Sequence, residues 1–97
     1  MTLTTSNSEV KLLPKNKLIY RYLKDEADKE FKLFNLKPLV MRDKTKDFGY
    51  LRGTSYYRAA IAVKAYRQDI LFAEDAIAVK GVGQSMLRAL VTAGIFD

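Results

Sequence analysis

The sequence predicts an all-α protein, a compact four-helix bundle in one domain. Apolar residues recur at steps of three and four from Lys17 to Phe34, which is the period of an amphipathic helix. The segment YYRAAIAVKAY, residues 56–66, is rich in alanine, a strong helix former. The segment AVKGVGQSMLRAL, residues 78–90, sets two glycines between apolar helical runs. A chain of 97 residues, 48% of them hydrophobic, is long enough for one core.

The first helix follows a polar N-terminal stretch. Residues 1–13 are rich in Thr, Ser and Asn, and we expect them to form a disordered lead to a domain that covers residues 14–97. Pro14 and Asn16 are expected to open the helix. Its apolar stripe consists of Ile19, Leu23, Ala27, Phe31 and Phe34. The acidic residues on this helix alternate with lysines, a pattern that indicates a solvated face rather than a catalytic site: Asp25, Glu26, Asp28 and Glu30.

The segment from Asn35 to Gly53 has no clean period and predicts a long basic loop. Pro38, Gly49 and Gly53 punctuate it, and KPLVM, residues 37–41, is expected to be a short strand or a helical turn. A connection this long is either functional or a mobile insertion without a role, and the sequence leaves both open.

Three further helices are predicted after this loop. Thr54 or Ser55 is expected to cap the second helix, which runs to about Tyr66. A short third helix is predicted over residues 73–79, with acidic residues in its first turn. The fourth covers residues 84–93 and ends where Gly94 adopts the left-handed conformation.

Composition narrows the function classes. The chain has no cysteine and no histidine, so it lacks thiolate metal ligands and the commonest general base, which argues against most hydrolase chemistry. It has neither a signal-peptide pattern nor an apolar run that could span a bilayer, and a soluble protein is expected. Its 17 Lys and Arg against 11 Asp and Glu give a net charge of +6, which favours polyanionic partners.

The glycine pair predicts a phosphate-binding hairpin. Gly81 and Gly83 permit backbone angles or close approach that a Cβ would hinder, and Val82 between them is expected to pack inward. A helix begins directly after Gly83, so its free N–H groups and its dipole face outward beside a residue that has no side chain. Backbone donors bind phosphate without reading bases, and contact with a nucleic-acid strand would be non-specific.

This spacing resembles the helix-hairpin-helix motif of DNA-binding proteins. The residues that carry the resemblance are an apolar set at fixed steps around the glycines: Ala76, Val79, Lys80, Gly81, Val82, Gly83, Leu87 and Leu90. The resemblance implies non-sequence-specific binding of single-stranded, duplex or branched DNA. It also implies that the hairpin holds a monovalent cation through the backbone carbonyls of Ile77, Val79 and Val82.

The likeness extends over about residues 15–94. The segment NKLIYRYLKDEADKEF, residues 16–31, together with YYRAA, residues 56–60, is similar to the small N-terminal domain of family X DNA polymerases and to that of crossover-junction endonucleases of the XPF-like nuclease family. The loop of residues 35–53 is longer than either family usually has. The resemblance implies a role in DNA repair or recombination, and a nuclear protein, or a cytoplasmic one if the source is a prokaryote or a virus.

The two families differ in chemistry at a few positions. An ungapped alignment puts the Schiff-base lysine of the polymerase-type lyase at Ala89, and an alanine cannot act as that nucleophile. Of the lyase's phosphate-pocket positions, only Arg52 and Tyr56 keep suitable chemistry; Leu51, Ile77 and Ser85 do not. The nuclease relatives carry an arginine at the position of Arg88, as this chain does. The resemblance therefore favours the nuclease-type domain, without an active site of its own.

The predicted DNA contacts combine the hairpin with nearby cations: Lys80, Gly81, Val82, Gly83, Ser85, Arg88, Arg52, Arg58 and Lys64. Tyr56, Tyr57 and Tyr66 are predicted to be core residues rather than base-stacking residues. Two alternatives stay open: a module that docks a repair scaffold protein, and a lyase domain of the family X polymerase type. Any catalytic module would belong to a longer chain or to a partner.

Overall fold

The computed structural model describes residues 14–96. It contains four α-helices, α1 (Pro14–Asn35), α2 (Phe48–Ala65), α3 (Ala73–Ile77) and α4 (Gln84–Thr92), and a 3₁₀ helix at Leu39–Met41, with no strand in this range. The all-helical prediction is confirmed for these residues. The predicted disordered lead, residues 1–13, lies outside them. No described helix has the length and apolar character needed to cross a lipid bilayer.

The helix α1 buries the face that its periodicity predicts. Ile19, Leu23 and Ala27 are fully buried and Phe34 nearly so, whereas Phe31 is half-buried against the core. Lys24 pairs with Asp28 one turn later at 3.1 Å, an exposed contact of the weak kind expected on a helix surface. The helix begins at Pro14, one of the two residues expected to open it, and a proline suits the first helical turn because an N–H there would have no partner within the helix.

The start of α2 corrects the sequence prediction. The helix begins at Phe48 and not at Thr54 or Ser55, and Asp47 caps it by accepting a hydrogen bond from the Tyr50 N–H at 2.9 Å. The connection between α1 and α2 is therefore residues 36–47, shorter than the predicted loop of 35–53. Gly53 lies inside α2 and does not end the helix. A Cβ there would lie 3.0 Å from Phe31 Cε1, so glycine at this position lets α1 and α2 pack closely.

A buried asparagine attaches the segment after α2 to α1. Asn16 is completely buried; its Nδ2 donates to the Gln68 carbonyl and its Oδ1 accepts from the Ile70 N–H, both at 2.9 Å. The Ile70 side chain is itself fully buried in the core. Since this segment leads directly into α3, the two bonds fix where α3 and α4 pack against the α1–α2 pair.

The second half of the chain closes the core as predicted, with small differences at the helix ends. Asp75 accepts hydrogen bonds from the N–H groups of Leu71 and Phe72, as expected of an acid in a first turn. Both α3 and α4 end slightly before the predicted residues, at Ile77 and Thr92. Gly94 has φ +84, which confirms the left-handed end after α4. The buried residues of this half are Ile70, Ala76, Val79, Val82, Met86, Leu90 and Phe96.

Candidate nucleic-acid interface

The turn between α3 and α4, residues 78–83, is a tight hairpin that packs on α2. The Val82 N–H donates to the Val79 carbonyl at 3.0 Å, and the Val82 side chain is buried in the core, as predicted. Gly81 has φ +98, a backbone conformation that residues with a side chain rarely adopt. A Cβ on it would lie 3.6 Å from Ala59 Cα, so the hairpin backbone rests directly on α2. The fold itself therefore requires glycine at position 81.

Gly83 differs from Gly81 because the fold does not require a glycine there. Its φ of −97 and ψ of 179 are extended angles that any residue adopts. A Cβ built at this position meets no atom within 4 Å. The space beside Gly83 is therefore open, and its bare backbone can be approached from outside the protein.

The first turn of α4 offers hydrogen-bond donors beside this open backbone. The first bond of the helix runs from the Leu87 N–H to the Gly83 carbonyl at 3.0 Å, and no side chain caps the helix. Among the described residues, none accepts a hydrogen bond from the backbone N–H groups of Gln84, Ser85 or Met86. These donors, with the positive end of the helix dipole, suit an anionic ligand.

A shallow groove of about 390 Å³ starts at the same turn and follows α4. One face of α4 forms one wall, and Tyr22 of α1 lies opposite; the lining residues are Tyr22, Ser85, Arg88, Ala89, Thr92 and Ala93. Partial burial and the nearby carboxylate of Glu26 raise the pKa of the Tyr22 hydroxyl, so this hydroxyl stays protonated and can donate a hydrogen bond.

Two of the predicted cations lie at the hairpin and the groove. Lys80 is exposed within the hairpin, and Arg88 is exposed on the groove-lining face of α4. Within residues 14–96, neither forms an ion pair with a carboxylate, whereas Lys24, Lys29, Lys37 and Arg52 each do. The charges of Lys80 and Arg88 are thus not neutralised by described side chains.

The predicted cations on α2 are placed differently. Arg52 is bound to Glu30 at 2.7 Å and lies 4.7 Å from the Tyr56 ring centroid, so its charge is already engaged. Lys64 lies over the ring of Tyr20 at 5.6 Å. Lys64 is five positions after Ala59, the residue that the hairpin touches, and therefore lies about 140° around the helix from it. Arg58 is exposed on α2 without a described ion pair.

The hairpin contains backbone carbonyls that have lone pairs without a hydrogen-bond donor among the described residues. The Ile77 and Val82 carbonyl oxygens accept no hydrogen bond from the described residues, and the Val79 oxygen accepts only the bond from Val82. Oxygen lone pairs are therefore available in one turn, and carbonyl oxygens are the ligands that hard cations prefer. No cluster of three His, Cys, Asp or Glu side chains suited to a metal ion occurs in the described part of the chain.

Sequence reasoning missed three groove residues, Tyr22, Thr92 and Ala93. Tyr22 directly precedes Leu23 of the predicted apolar stripe. It is 70 positions from Thr92 in the sequence, and no local pattern indicates that the two residues line the same groove. Comparisons of the chain with profiles of protein families, with curated proteins and with solved structures found no match.

Proposed function

We propose that this chain is a DNA-binding domain that contacts the phosphate backbone without reading base sequence. The observation that carries the proposal is that an open glycine and free backbone N–H groups occur together at the start of α4. Gly83 is next to open space, and the fold does not require a glycine there. The N–H groups of the next three residues have no described acceptor. Backbone donors of this kind match phosphate oxygens and carry no base preference.

The charge and the motif support DNA as the polyanion. The chain carries +6, and no described carboxylate pairs with Lys80 in the hairpin or with Arg88 on α4. The spacing around Gly81 and Gly83 resembles the helix-hairpin-helix motif, and we infer that the hairpin belongs to that class. A monovalent cation held by the carbonyls of its turn would add positive charge beside the phosphate.

The groove favours a nuclease-type domain over a lyase. Ala89 lines the groove, and the ungapped alignment with the polymerase-type lyase puts the nucleophilic lysine at this residue, where a methyl group forms no Schiff base. Arg88 stands where the nuclease relatives have arginine. We therefore infer a binding domain that serves a DNA repair or recombination enzyme in the nucleus, with the catalytic module in a longer chain or in a partner.

A salt-dependent titration tests this function. Fluorescence anisotropy with labelled single-stranded, duplex and branched DNA is expected to give a dissociation constant on the order of 10⁻⁴ to 10⁻⁶ M, rising steeply from about 50 to about 200 mM salt. Lys80→Ala should flatten the log–log salt slope by about one unit for every sequence. Lys17→Ala, an exposed lysine on α1, is the matched control and should leave the slope nearly unchanged. Absence of binding at low salt, or equal effects of both variants, would contradict the proposal.

A further inference from the structure

A second surface lies in the connection between α1 and α2, away from the hairpin. Five large apolar side chains, here called the apolar tip, are between 67% and 94% exposed: Leu36, Leu39, Val40, Met41 and Phe48. Single exposed apolar residues are common on protein surfaces, but five large ones within 13 consecutive residues indicate an interaction site. The apolar tip contributes nothing to the core, so folding does not explain it.

Polar bonds hold the connection in a defined shape. The Arg42 guanidinium donates to the carbonyls of Lys37 at 2.9 Å and Asn35 at 2.6 Å, which attaches the end of the 3₁₀ helix to the end of α1. The ammonium of Lys37 pairs with Asp47, and this contact lowers the pKa of the Asp47 carboxyl. The Thr45 hydroxyl and N–H both donate to Asp43. These bonds fix the backbone that presents the apolar side chains.

The charge around the apolar tip is positive. Residues 32–48 contain five cationic and two acidic side chains, so the segment carries a net charge of +3. Both acids are already engaged, Asp43 by Thr45 and Asp47 by Lys37. Among the described residues, no carboxylate pairs with Lys32, Lys44 or Lys46. A complementary partner must therefore combine apolar groups with negative charge.

The 3₁₀ helix determines how such a partner has to approach. Successive residues of a 3₁₀ helix point about 120° apart, so Leu39, Val40 and Met41 face three directions, and all three are exposed. A flat surface would leave at least one of them in water. The partner must cover the apolar tip on more than one side.

We propose that the apolar tip is a docking site for an acidic, apolar-rich segment of another protein that wraps around it. A second copy of this chain does not fit, because both copies would bring the same net positive segment together. DNA gains little from apolar side chains. An anionic bilayer is usually bound through four to eight lysines and arginines, and the four that pair with no described carboxylate here, Lys32, Arg42, Lys44 and Lys46, are at the lower end of that range.

The docking site is separate from the proposed DNA interface. Phe48 and Ala59, the residue under the hairpin, are eleven positions apart on α2, which corresponds to about 16 Å along the helix. The protein can thus hold DNA at one place and a partner at the other. Substitutions in the apolar tip are expected to leave DNA affinity unchanged, so that each proposal can fail independently of the other.

Peptide selection against the full chain tests this inference. Random peptides of about 20 residues, which span roughly 65 Å when extended, are displayed and selected on the parent protein. We expect enriched peptides to be rich in Asp and Glu with large apolar residues, and to bind Val40→Ser/Phe48→Ser protein about tenfold or more weakly. Lys44→Glu/Lys46→Glu protein should lose binding to a similar extent. Leu18→Ser/Leu71→Ser removes two exposed apolar side chains elsewhere and should bind like the parent.

Three results would overturn the inference. One is a selection in which no peptide prefers the parent over the Val40→Ser/Phe48→Ser variant. Another is enrichment of neutral or basic peptides, which would contradict the charge argument. The third is co-sedimentation of the parent, but not of the apolar-tip variant, with phosphatidylcholine vesicles only when they contain phosphatidylserine, which would make the surface a lipid-binding one.

Discussion

The two glycines of the hairpin should differ in what they contribute to stability. Gly81→Ala places a Cβ on a residue with φ +98, beyond the usual left-handed region. The nearest atom, Ala59 Cα, would be at an ordinary contact distance of 3.6 Å, so the cost comes from the backbone angle. Such strain costs roughly 1–3 kcal/mol, and in a domain of this size each kcal/mol lowers Tm by about 4–8 °C.

The same change at Gly83 should be nearly neutral. Its extended angles suit alanine, and the smaller entropy of the unfolded chain then stabilises the protein by about 0.4–1 kcal/mol. Gly83 is also the N-cap of α4, where alanine is poorer than glycine by roughly 0.5 kcal/mol. The two effects nearly cancel, and the net change in the free energy of unfolding should lie within about 0.5 kcal/mol.

Urea denaturation of the parent and both variants, followed by circular dichroism, measures the difference. We expect a lower midpoint for Gly81→Ala and a parental midpoint for Gly83→Ala, with equal m-values. If Gly83→Ala loses as much stability as Gly81→Ala, the fold requires both glycines. Glycine at position 83 would then be explained by the fold, and its presence would not indicate a site for a ligand.

Three further outcomes are expected. Asn16→Ala removes two hydrogen bonds and leaves the buried Ile70 N–H unpaired, so it should lower the free energy of unfolding by about 2–4 kcal/mol; a loss well below 1 kcal/mol in urea denaturation would contradict this account. With Ala89 in the groove, borohydride should trap no covalent adduct with a pre-incised abasic duplex, and an adduct on gel electrophoresis would restore the lyase alternative. The bond from Lys37 lowers the pKa of Asp47 below 3.8, so this pair stabilises the folded state above that pH and is lost as the pH falls through the lowered value. Asp47→Asn should make acid unfolding less steep in a pH titration followed by circular dichroism, and an unchanged profile would argue against the pair.

Local patterns predicted most of the fold, and tertiary packing accounts for the main miss. The stripe from Ile19 to Phe34 and the left-handed Gly94 are visible in the sequence because neighbouring residues determine them. The start of α2 is not. Gly49 and Gly53 suggested a loop, but Gly53 is a small residue at a helix contact, where Phe31 of α1 lies against it. A single sequence does not distinguish a glycine that breaks a helix from one that lets two helices approach.

The candidate site also has parts that a local pattern predicts and parts that depend on contacts between residues distant in the sequence. The hairpin at Gly81 and Gly83 is a local feature, and the sequence predicted the turn and the helix that follows it. The ion pair between Arg52 and Glu30 joins residues 22 positions apart, so the sequence alone kept Arg52 as a DNA contact. The apolar tip was also missed, because the pattern of Leu39 and its neighbours predicts a short strand or a helical turn, which here is a 3₁₀ helix, without indicating whether its side chains are buried.

The most direct test of the account is the effect of Gly83→Val on DNA affinity. Valine is compatible with the extended angles of this residue, and its side chain would fill the open space in front of the α4 donors. Ala65→Val, at the exposed end of α2, is the control for added bulk, and both proteins must match the parent in circular dichroism and thermal melting. We predict at least about tenfold weaker binding by anisotropy for Gly83→Val and no change for the control. Parental affinity of folded Gly83→Val protein would contradict the account and make the basic segment of residues 42–52 the leading candidate for the DNA contact.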